Sequence, residues 1–388
     1  MHATAGNLSS AARALGNVVI TAIESIPIVV PFAVPFKIAS GAARPVSEAV
    51  IVRIHTNQGV SGIGETQAWR RQGSVETLKS LKCAIDDHLA PRVVGRSPFD
   101  MAKIMADLDE ALYSSLYAKA AISDALYDLQ GKLLGVPVYV LLGGKCRDRV
   151  GACAVLMIKD QIEETLKNAQ TFHERGFRSF TIKVGVDPKA DLINVRELRK
   201  RFPDTILRVD ANAVMGYDDA LTLLKKIEPY DIDAAEQMIA LWDVDGMAEL
   251  ARHVAIPLMA DECVSSDHDL LRVIKARAAT VMQSKVAKNG GIWHSRKLWI
   301  IAEAASMRIY PGNHPSTSVA TASVAHLAAA WAGPLLDGPF AVGISGALGA
   351  DIVTEPLKVE NGAVIVPDGP GLGVTLDEAA IKSMRKDI

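Results

Sequence analysis

Short hydrophobic runs recur at a regular spacing from about residue 150 onward. Stretches with the period of amphipathic helices separate them, and one run with its helix takes about 25 residues, the size of a βα unit. Eight runs follow this pattern: GACAVLMI at 151, FTIKV at 180, ILRVDA at 206, DIDAAE at 231, IPLMADE at 256, TVMQSKVA at 280, RIYPG at 308 and PLLDG at 334. Eight such units predict an α/β fold with a (β/α) TIM-like barrel. An open sheet is the alternative, but no Gly-rich dinucleotide loop follows the first strand.

The preceding part of the chain has strands first and helices afterwards. VVITAIESIPIVV, from residue 18, predicts a strand, and the loop PFAVPFKIASGAARP follows it. A hairpin comes next, in which EAVIVRIHT and VSGIGE flank a turn at 57–59. Residues 74–135 have a helical pattern, with Ser74 as the expected cap of the first helix. This order predicts an α+β unit.

These changes of pattern divide the chain into four parts. We expect a flexible extension over 1–17, an N-terminal α+β domain over 18–148 and the barrel over 149–350. The last segment, 351–388, contains a turn at Asn361-Gly362 between two apolar runs, which predicts a hairpin. We expect this segment to leave the barrel and return to the N-terminal domain.

Composition and charge exclude several classes of protein. The 388 residues are 49% hydrophobic and carry a formal net charge of −2, so we expect a large buried core and no nucleic-acid partner. No apolar run approaches the roughly 20 residues of a membrane helix, and the first 16 residues lack the apolar core of a signal peptide. The four cysteines are scattered without a C-x-x-C pair, which fits a reducing compartment, and we expect a cytoplasmic location.

One ionisable residue ends each of five successive predicted strands. The five are Lys183, Asp210, Glu236, Asp261 and Lys285, at spacings of 27, 26, 25 and 24 residues. The C-terminal ends of barrel strands converge on the mouth, where active sites lie. A single strand-end Asp or Lys is more often a solvated or ion-paired group, but ion pairing gives no reason for five in register. We therefore expect these side chains to surround one cavity.

The three carboxylates indicate a metal site. Packed together they would repel one another and raise each other's pKa unless a cation neutralised them. A set of oxygen ligands with room for water and substrate suits a hard divalent ion such as Mg²⁺, for which Mn²⁺ could substitute. No His or Cys stands among the three, which disfavours zinc.

The two lysines indicate acid–base chemistry. Their strands, the second and the sixth, lie nearly opposite each other in a closed barrel, so the amines would approach a bound substrate from two faces. A lysine beside a divalent cation and a second ammonium group should have a lowered pKa. Such a lysine can act as a base near neutral pH.

These segments resemble the enolase superfamily, and most closely its muconate lactonizing enzyme subgroup. The matching pieces are T-I-K-V-G with Lys183, D-A-N with Asp210 and Asn212, A-E-Q with Glu236, M-A-D-E with Asp261, S-K-V-A-K-N-G-G with Lys285, and the N-terminal VSGIGE and LLGGKCRDRV. The resemblance covers about residues 18–375. It implies that the N-terminal domain is a capping domain, whose loops around 31–44 and 66–72 would close over the barrel mouth and select the substrate.

The resemblance also implies a role for each residue of the site. Asp210, Glu236 and Asp261 would bind Mg²⁺. Lys183 and Lys285 would be the acid–base groups on either face of a metal-stabilised enolate. The substrate would be a small-molecule carboxylate.

Two positions depart from the family pattern. The second strand usually carries Lys-x-Lys, and here the first position is Thr181. Near the seventh strand the muconate enzymes have a Met-Leu-Glu-like stretch, and here the segment is G-N-H-P-S-T-S, with Ser316 where the Glu would align. Both residues are candidate substrate contacts, together with Asn212. His314 is either a polar contact or proton donor at the mouth, or a loop histidine hydrogen-bonded to the backbone.

We expect an isomerase that removes the proton α to a carboxylate, with the metal stabilising the enolate. The motifs favour cycloisomerisation, that is, lactonisation, of a muconate-like dicarboxylate. Thr181 and Ser316 favour the alternative, an epimerase or racemase of a dipeptide, an N-acyl amino acid or a proline betaine that uses two opposed lysines. The racemase subgroup with a His–Asp dyad is disfavoured because the sixth strand carries Lys285.

Two other classes remain as rivals. A barrel that had lost catalysis and only binds would lack a metal ligand or a lysine, whereas all five are present. A metal-dependent aldolase or hydrolase on the same fold would have a mouth rich in His or Arg instead of two opposed lysines.

We expect identical subunits to assemble into a homo-oligomer.

Overall fold

The chain forms a mixed α/β structure with an N-terminal antiparallel sheet and a curled parallel sheet. The computed structural model describes residues 16–36, 43–70, 76–159, 161–338 and 348–387. Most of the extension expected over 1–17 lies outside the described residues, as do Ser74 and parts of the loops expected around 31–44 and 66–72. No helix in the described ranges is long and apolar enough to cross a membrane.

The N-terminal sheet has three antiparallel strands in sequence order. They are β1 (Ile20–Phe36), β2 (Arg44–Thr56) and β3 (Ser61–Gln67). The pairing of β2 with β3 confirms the predicted hairpin. The loop predicted from residue 31 was wrong in part, because β1 continues to Phe36, which pairs with Arg44 after a register shift. Pro31 is tolerated there because β1 is an edge strand.

Helices follow this sheet and cover one of its faces. Their bounds are α1 (Leu78–Cys83), a π-helical turn (Ala84–Leu89), α2 (Ala90–Val93), α3 (Met101–Ala111), α4 (Leu116–Leu134) and α5 (Val138–Leu141). Helix α4 packs directly on β3. A Cβ at Gly62 would lie 2.1 Å from the carbonyl oxygen of Ala125, and one at Gly64 equally close to that of Ala121. The two glycines of VSGIGE therefore set the distance between sheet and helix.

Seven strands form the parallel sheet, and a helix follows each of them. The strands are β5 (Ala154–Leu156), β6 (Ser179–Lys183), β7 (Ile206–Asp210), β8 (Ile232–Glu236), β9 (Leu258–Ala260), β10 (Val281–Lys285) and β11 (Arg308–Gly312), in sequence order across the sheet. The helices are α6 (Ile162–Glu174), α7 (Pro188–Arg201), α8 (Tyr217–Ile227), α9 (Val244–His253), α10 (Asp267–Ala276), α11 (Gly291–Ala304) and α12 (Ser318–Ala330). A short 3-10 turn (Glu228–Tyr230) follows α8.

The parallel sheet is curled so that strands from its two ends share one interior. Cys153, beside the first strand, lies in the same buried cluster as Tyr310 of the last one. The hydroxyl of Thr181 on β6 lies 2.8 Å from that of Tyr310 and 3.2 Å from the Cys153 sulfur. Side chains therefore fill the interior, as in small barrels.

The prediction of a regular eighth strand over PLLDG, residues 334–338, was wrong. Only Leu335 and Gly338 form isolated parallel bridges there, to Ile309 and Ala152. Pro334 has no N–H to donate to a ladder, and the run is short. The segment nevertheless bonds to both edges of the sheet, with Leu336 N donating to Ile309 O at 2.9 Å and Cys153 N to Gly338 O at 2.7 Å.

The first predicted run is divided between two sheets. Strand β4 (Arg149–Gly151) pairs with the C-terminal hairpin, whose strands are β12 (Val359–Glu360) and β13 (Ala363–Ile365). Asn361 and Gly362 have φ values of 51° and 68°, as a two-residue hairpin turn needs. The predicted hairpin is confirmed. Beyond it, α13 (Glu378–Met384) is followed by Lys386, whose N–H donates to Pro27 O of β1 at 3.0 Å.

Candidate active site

The five ionisable residues picked out by their spacing lie at one end of the curled sheet. Lys183, Asp210, Glu236 and Lys285 are the last residues of their strands, and Asp261 directly follows β9. Strand register places Lys183 beside Asp210 and Asp210 beside Glu236. Because the parallel strands are in register, all five side chains lie at the same end of the sheet, and the structure brings them together.

Lys183 lies against one side of this group. Its amine contacts the Asp210 carboxylate and donates to Asn212 Oδ1 at 2.9 Å. The backbone N–H of Asn212 donates to Asp210 Oδ1 at 2.7 Å, and its side-chain amide to Asp210 Oδ2 at 3.1 Å. Asn212 has a φ of 48°, a conformation that asparagine tolerates better than most residues. Asn212 therefore orients both the lysine and the carboxylate.

Lys285 lies on the other side, against Asp261. Its amine contacts Asp261 Oδ2, while Lys288 donates to Asp261 Oδ1 at 2.8 Å and to its backbone carbonyl. Gln237 Oε1 accepts from the N–H groups of Asp261 and Cys263 at 3.2 and 3.1 Å. Sequence reasoning missed Lys288 and Gln237. The second lysine of K-V-A-K, three residues after Lys285, was the available signal for the first of them.

Negative charge dominates the centre of the group. Burial and the neighbouring Asp210 and Asp261 hold the pKa of Glu236 well above its ordinary value. Burial and Asp261 raise the pKa of Glu262 to about 8. The pKa of Asp261 shifts in the opposite direction. Burial alone would raise it, but the charges of Lys285 and Lys288 outweigh this effect and hold it far below the ordinary value.

The carboxylates around Lys285 raise the pKa of its amine in the arrangement of the protein side chains alone. Burial alone would lower it, but the charges of Asp261, Glu236 and Glu262 outweigh burial. Lys285 is therefore an ammonium group at neutral pH in this arrangement. The expected lowering of a lysine pKa concerns the site with a divalent cation among these carboxylates, and it stays a prediction.

The donor set fits a hard divalent cation. Within the described ranges, no three His, Cys, Asp or Glu side chains are grouped so that they could hold a metal ion as they lie. Instead, Lys183 and Lys285 contact the two outer carboxylates. Glu236 between them accepts no side-chain hydrogen bond from a described residue, and Glu262 Oε2 is buried without a partner. A divalent cation would relieve this repulsion with oxygen ligands alone.

His314 lies after β11 and faces the N-terminal domain. Its imidazole stacks on Trp69, with ring centroids 4.2 Å apart, and its Nε2 lies 2.8 Å from the Tyr117 hydroxyl. Its hydrogen bond thus goes to a side chain and not to the backbone. Burial and the charge of Lys285 hold its pKa well below the ordinary value, so the ring is neutral.

Thr181 and Ser316, the two departures from the family pattern, are both buried. The Thr181 hydroxyl lies in the sheet interior, against Tyr310 and Cys153. Ser316 Oγ accepts from Asn313 Nδ2 at 2.7 Å. Both hydroxyls therefore have protein partners.

Two carboxylates of the N-terminal domain bind the first turns of helices that follow the parallel strands. Glu65, the last residue of VSGIGE, accepts from Thr317 N at 3.1 Å, Thr317 Oγ1 at 2.6 Å and Ala320 N at 3.0 Å at the start of α12. Asp124 of α4 accepts from Ile292 N at 2.8 Å at the start of α11. Helix N-termini favour negative charge. These contacts, which sequence reasoning missed, hold the N-terminal domain against the loops that carry Lys288 and His314.

Two family models match the chain. The N-terminal domain of mandelate racemase and muconate lactonizing enzyme matches residues 21–143, and the enolase C-terminal domain-like model matches residues 164–380. The chain belongs to the mandelate racemase and muconate lactonizing enzyme family. This confirms the resemblance to the enolase superfamily and to its muconate lactonizing enzyme subgroup.

The chain is similar to two kinds of isomerase, cycloisomerases and epimerases. A chloromuconate cycloisomerase of Cupriavidus pinatubonensis is 33% identical over 86% of this chain and 90% of that protein. An L-Ala-D/L-Glu epimerase of Clostridium acetobutylicum is 32% identical over 89% of this chain and 95% of that protein. The muconate lactonizing enzyme of Pseudomonas fluorescens, solved with muconolactone, has a TM-score of 0.90 at 29% identity and covers 95% of this chain and 99% of its own. The expectation of an isomerase of the enolase superfamily is confirmed.

Proposed function

We propose that this family member is a cycloisomerase that lactonises a muconate-like dicarboxylate, with a divalent metal, Lys183 and Lys285 at the site. The observation that supports it is the order of charges across the mouth, where one amine lies on each side of three carboxylates. The matched families and the cycloisomerase relatives support the same reaction class.

Asp210, Glu236 and Asp261 would hold the metal, which we propose to be Mg²⁺, with Mn²⁺ as a substitute. When bound, the ion would supply electrostatic stabilisation of the charge that develops on the substrate carboxylate. Asn212 would keep the Asp210 carboxylate and the Lys183 amine in position through its bonds to both.

The lysines would move the proton at the α-carbon. In lactonisation one substrate carboxylate adds to a double bond, and a lysine ammonium delivers a proton to the carbon α to the other carboxylate. Lys285 suits the donor, because its amine lies at one side of the three carboxylates, opposite Lys183. In the reverse direction the same amine, once neutral, takes that proton back.

The second candidate is epimerisation of an amino-acid derivative such as a dipeptide or an N-acyl amino acid. Thr181 and Ser316, at positions where muconate enzymes carry Lys and Glu, favour it, and so does the similarity to a dipeptide epimerase. One lysine would then remove the α-proton, and the other would deliver a proton to the opposite face.

Contacts at the mouth support a role for His314 in binding the substrate. The ring is neutral and is held between Trp69 and Tyr117, and the guanidinium of Arg44 lies 5.4 Å from the centre of the Trp69 ring. These residues of the N-terminal domain would form the side of the site that faces the barrel. Thr181 and Ser316 would act on the substrate through the residues they contact.

We extend the proposal to the organisation of the whole chain. The segment 334–338 would close the curled sheet into a barrel, which its hydrogen bonds to β11 and to the region of β4 and β5 support. The division at about residues 18, 149 and 351 would separate the capping domain, the barrel and the returning segment.

The four cysteines are free thiols, which supports a cytoplasmic location. Identical subunits would assemble into an oligomer.

Proton NMR of the purified chain with Mg²⁺ in D₂O separates the two candidates. The substrates are cis,cis-muconate, muconolactone, an L-Ala-L-Glu dipeptide and an N-succinyl amino acid, with Lys183→Ala as the control variant. Formation or opening of the lactone, with deuterium at the α-carbon, supports the cycloisomerase. Exchange with inversion of the dipeptide or of the N-succinyl amino acid instead supports the epimerase. An absence of exchange together with an absence of Mg²⁺ binding would rule out both.

A further inference from the structure

Gln283 lies in the interior of the curled sheet, one layer below the candidate active site. It stands on β10 two residues before Lys285, so the alternation of side chains along a strand turns both to the same face. Val281, two residues earlier, packs in the interior cluster that contains Tyr310. The side chain of Gln283 therefore also points into the interior, with its Cα roughly 6.6 Å along the strand from that of Lys285.

The neighbours of Gln283 at this level follow from the strand positions. The layer consists of the residues two positions before the five ionisable residues of the site, which are Thr181, Arg208, Ala234, Met259 and Gln283. Tyr310 of β11 joins them, because it pairs with Gln283 in register. The hydroxyls of Thr181 and Tyr310 bond to each other, and Arg208 is held by Asp233. The polar groups around Gln283 thus already have partners.

The amide of Gln283 has no such partner. Its nitrogen and its oxygen are both buried without a hydrogen bond to any residue that the structure describes, and the residue is only 1% exposed. An amide buried in this way costs stability, whereas an apolar side chain of the same length would fill the space without that cost. A buried polar group that weakens the fold indicates a role in binding.

Burial does not separate Gln283 from the residues of the site. Asp261 is 0% exposed, because the amines of Lys285 and Lys288 lie against its carboxylate. Lys183, on the opposite side, is also buried. The whole site is therefore closed in this arrangement, and Gln283 belongs to the same enclosed region.

The chemistry of the amide suits a carboxylate. Its NH₂ group can donate to a carboxylate oxygen, and a hydrogen bond to an ionised acceptor is stronger than one between neutral groups. Thr181, in the same layer, stands where the family pattern has a lysine, and the bond to Asp233 occupies Arg208. Gln283 is therefore the side chain at this level with a donor to spare among the described residues.

We propose that Gln283 binds the substrate from below the two lysines, with its amide N–H donating to an oxygen of the substrate carboxylate. This inference rests on the proposed function, because it takes a carboxylate as the substrate. It holds for the cycloisomerase and for the epimerase, since both substrates carry that group. Gln283 should therefore reduce the stability of the protein without ligand and increase its affinity for the ligand.

Gln283→Met separates these two effects, because methionine is of similar length and has no N–H donor. In urea denaturation with EDTA and no ligand, we expect this variant to unfold at the same urea concentration as the wild type or at a higher one. Calorimetric titration with Mg²⁺ present then measures binding of muconolactone and of L-Ala-L-Glu. The dissociation constant of the ligand that the wild type binds should rise at least about tenfold. The affinity for Mg²⁺ alone should stay unchanged, because the amide is not among the proposed metal ligands.

Ser295→Ala on α11 is the matched control. Its hydroxyl is also buried without a partner among the described residues, but it lies on a helix outside the sheet. This variant should be as stable as the wild type or more stable, with an unchanged affinity for the ligand. Gln283→Asn keeps the amide on a shorter side chain and should lose less affinity than Gln283→Met.

Two results would overturn the inference alone. One is a Gln283→Met chain that binds the ligand as the wild type does. The other is a Gln283→Met chain that unfolds at a lower urea concentration in EDTA, because the amide would then have partners within the fold. A wild-type chain that binds Mg²⁺ but neither ligand would instead overturn the proposed function, and this inference with it.

Discussion

The hydroxyl oxygens of Thr181 and Tyr310 lie 2.8 Å apart across the interior of the curled sheet. Thr181 precedes Lys183 by two residues, at the position where the family pattern has a second lysine. The sheet interior beside Thr181 nevertheless contains a cation. Arg208 lies 4.9 Å from the centre of the Tyr310 ring and is almost fully buried. Asp233 holds Arg208 with a 2.7 Å bond. At the level of Thr181, the positive charge therefore comes from Arg208 of β7, while the lysine of β6 lies two residues further on, at Lys183.

Restoring the family lysine should therefore destabilise the fold. Thr181→Lys would put a second cation beside Arg208, remove the bond to Tyr310 and exceed the space of a side chain that is 2% exposed. We expect a loss of about 2–4 kcal/mol in the free energy of unfolding. Urea denaturation measures it, with Thr181→Ser as the control that keeps a hydroxyl. A Thr181→Lys chain as stable as the wild type would contradict this account of the interior.

Glu236 should oppose folding and favour metal binding. Its pKa is raised in the folded state, so its ionised form costs stability at neutral pH. Glu236→Gln in EDTA should unfold at a higher denaturant concentration than the wild type, while its affinity for Mg²⁺ or Mn²⁺ should fall at least about tenfold. Calorimetric titration measures the affinity, and Glu355→Gln, an exposed position, is the control. Unchanged metal affinity would remove Glu236 from the ligand set.

The contact between Asp124 and α11 should make stability depend on pH. Burial raises the pKa of Asp124 to about 7, against an ordinary value near 4 in the unfolded chain. The folded state therefore binds the proton more tightly, and the contribution of Asp124 becomes less favourable as the pH rises through this interval. The wild type should lose roughly 2 kcal/mol relative to Asp124→Asn between about pH 5 and pH 8. Denaturation of both proteins across that range checks it, and parallel curves would contradict it.

His314 should affect substrate binding without setting the pH profile. The ring is neutral through the ordinary pH range because its pKa is held well below the usual value. His314→Gln should raise KM several-fold and leave the inflections of the kcat/KM profile where they are. Tyr117→Phe, which removes only the bond to His314, should act in the same direction and more weakly. A lost inflection in the His314→Gln profile would show that the histidine titrates during catalysis.

The sequence predicted the elements that repeat and missed those that depend on contacts between distant residues. Strand-end positions such as Lys183 and Asp210 could be found because parallel strands of equal length bring their ends together. The role of Glu65 at the start of α12 could not be found in this way, because its hydrogen bond to Thr317 joins residues 252 positions apart. The contact of Lys288 with Asp261 was missed for the same reason, since it joins residues 27 positions apart.

The central claim is that Lys183 and Lys285 carry protons to and from one α-carbon. Its most direct test is proton NMR in D₂O, with Mg²⁺ present, comparing deuterium uptake at the α-carbon of the turned-over substrate by the wild type, Lys183→Ala and Lys285→Ala. We expect Lys285→Ala to lose at least about a hundredfold in the rate of uptake, and Lys183→Ala to lose either uptake or the inverted product. Uptake at the wild-type rate in both variants, with both chains folded and binding Mg²⁺, would contradict the account.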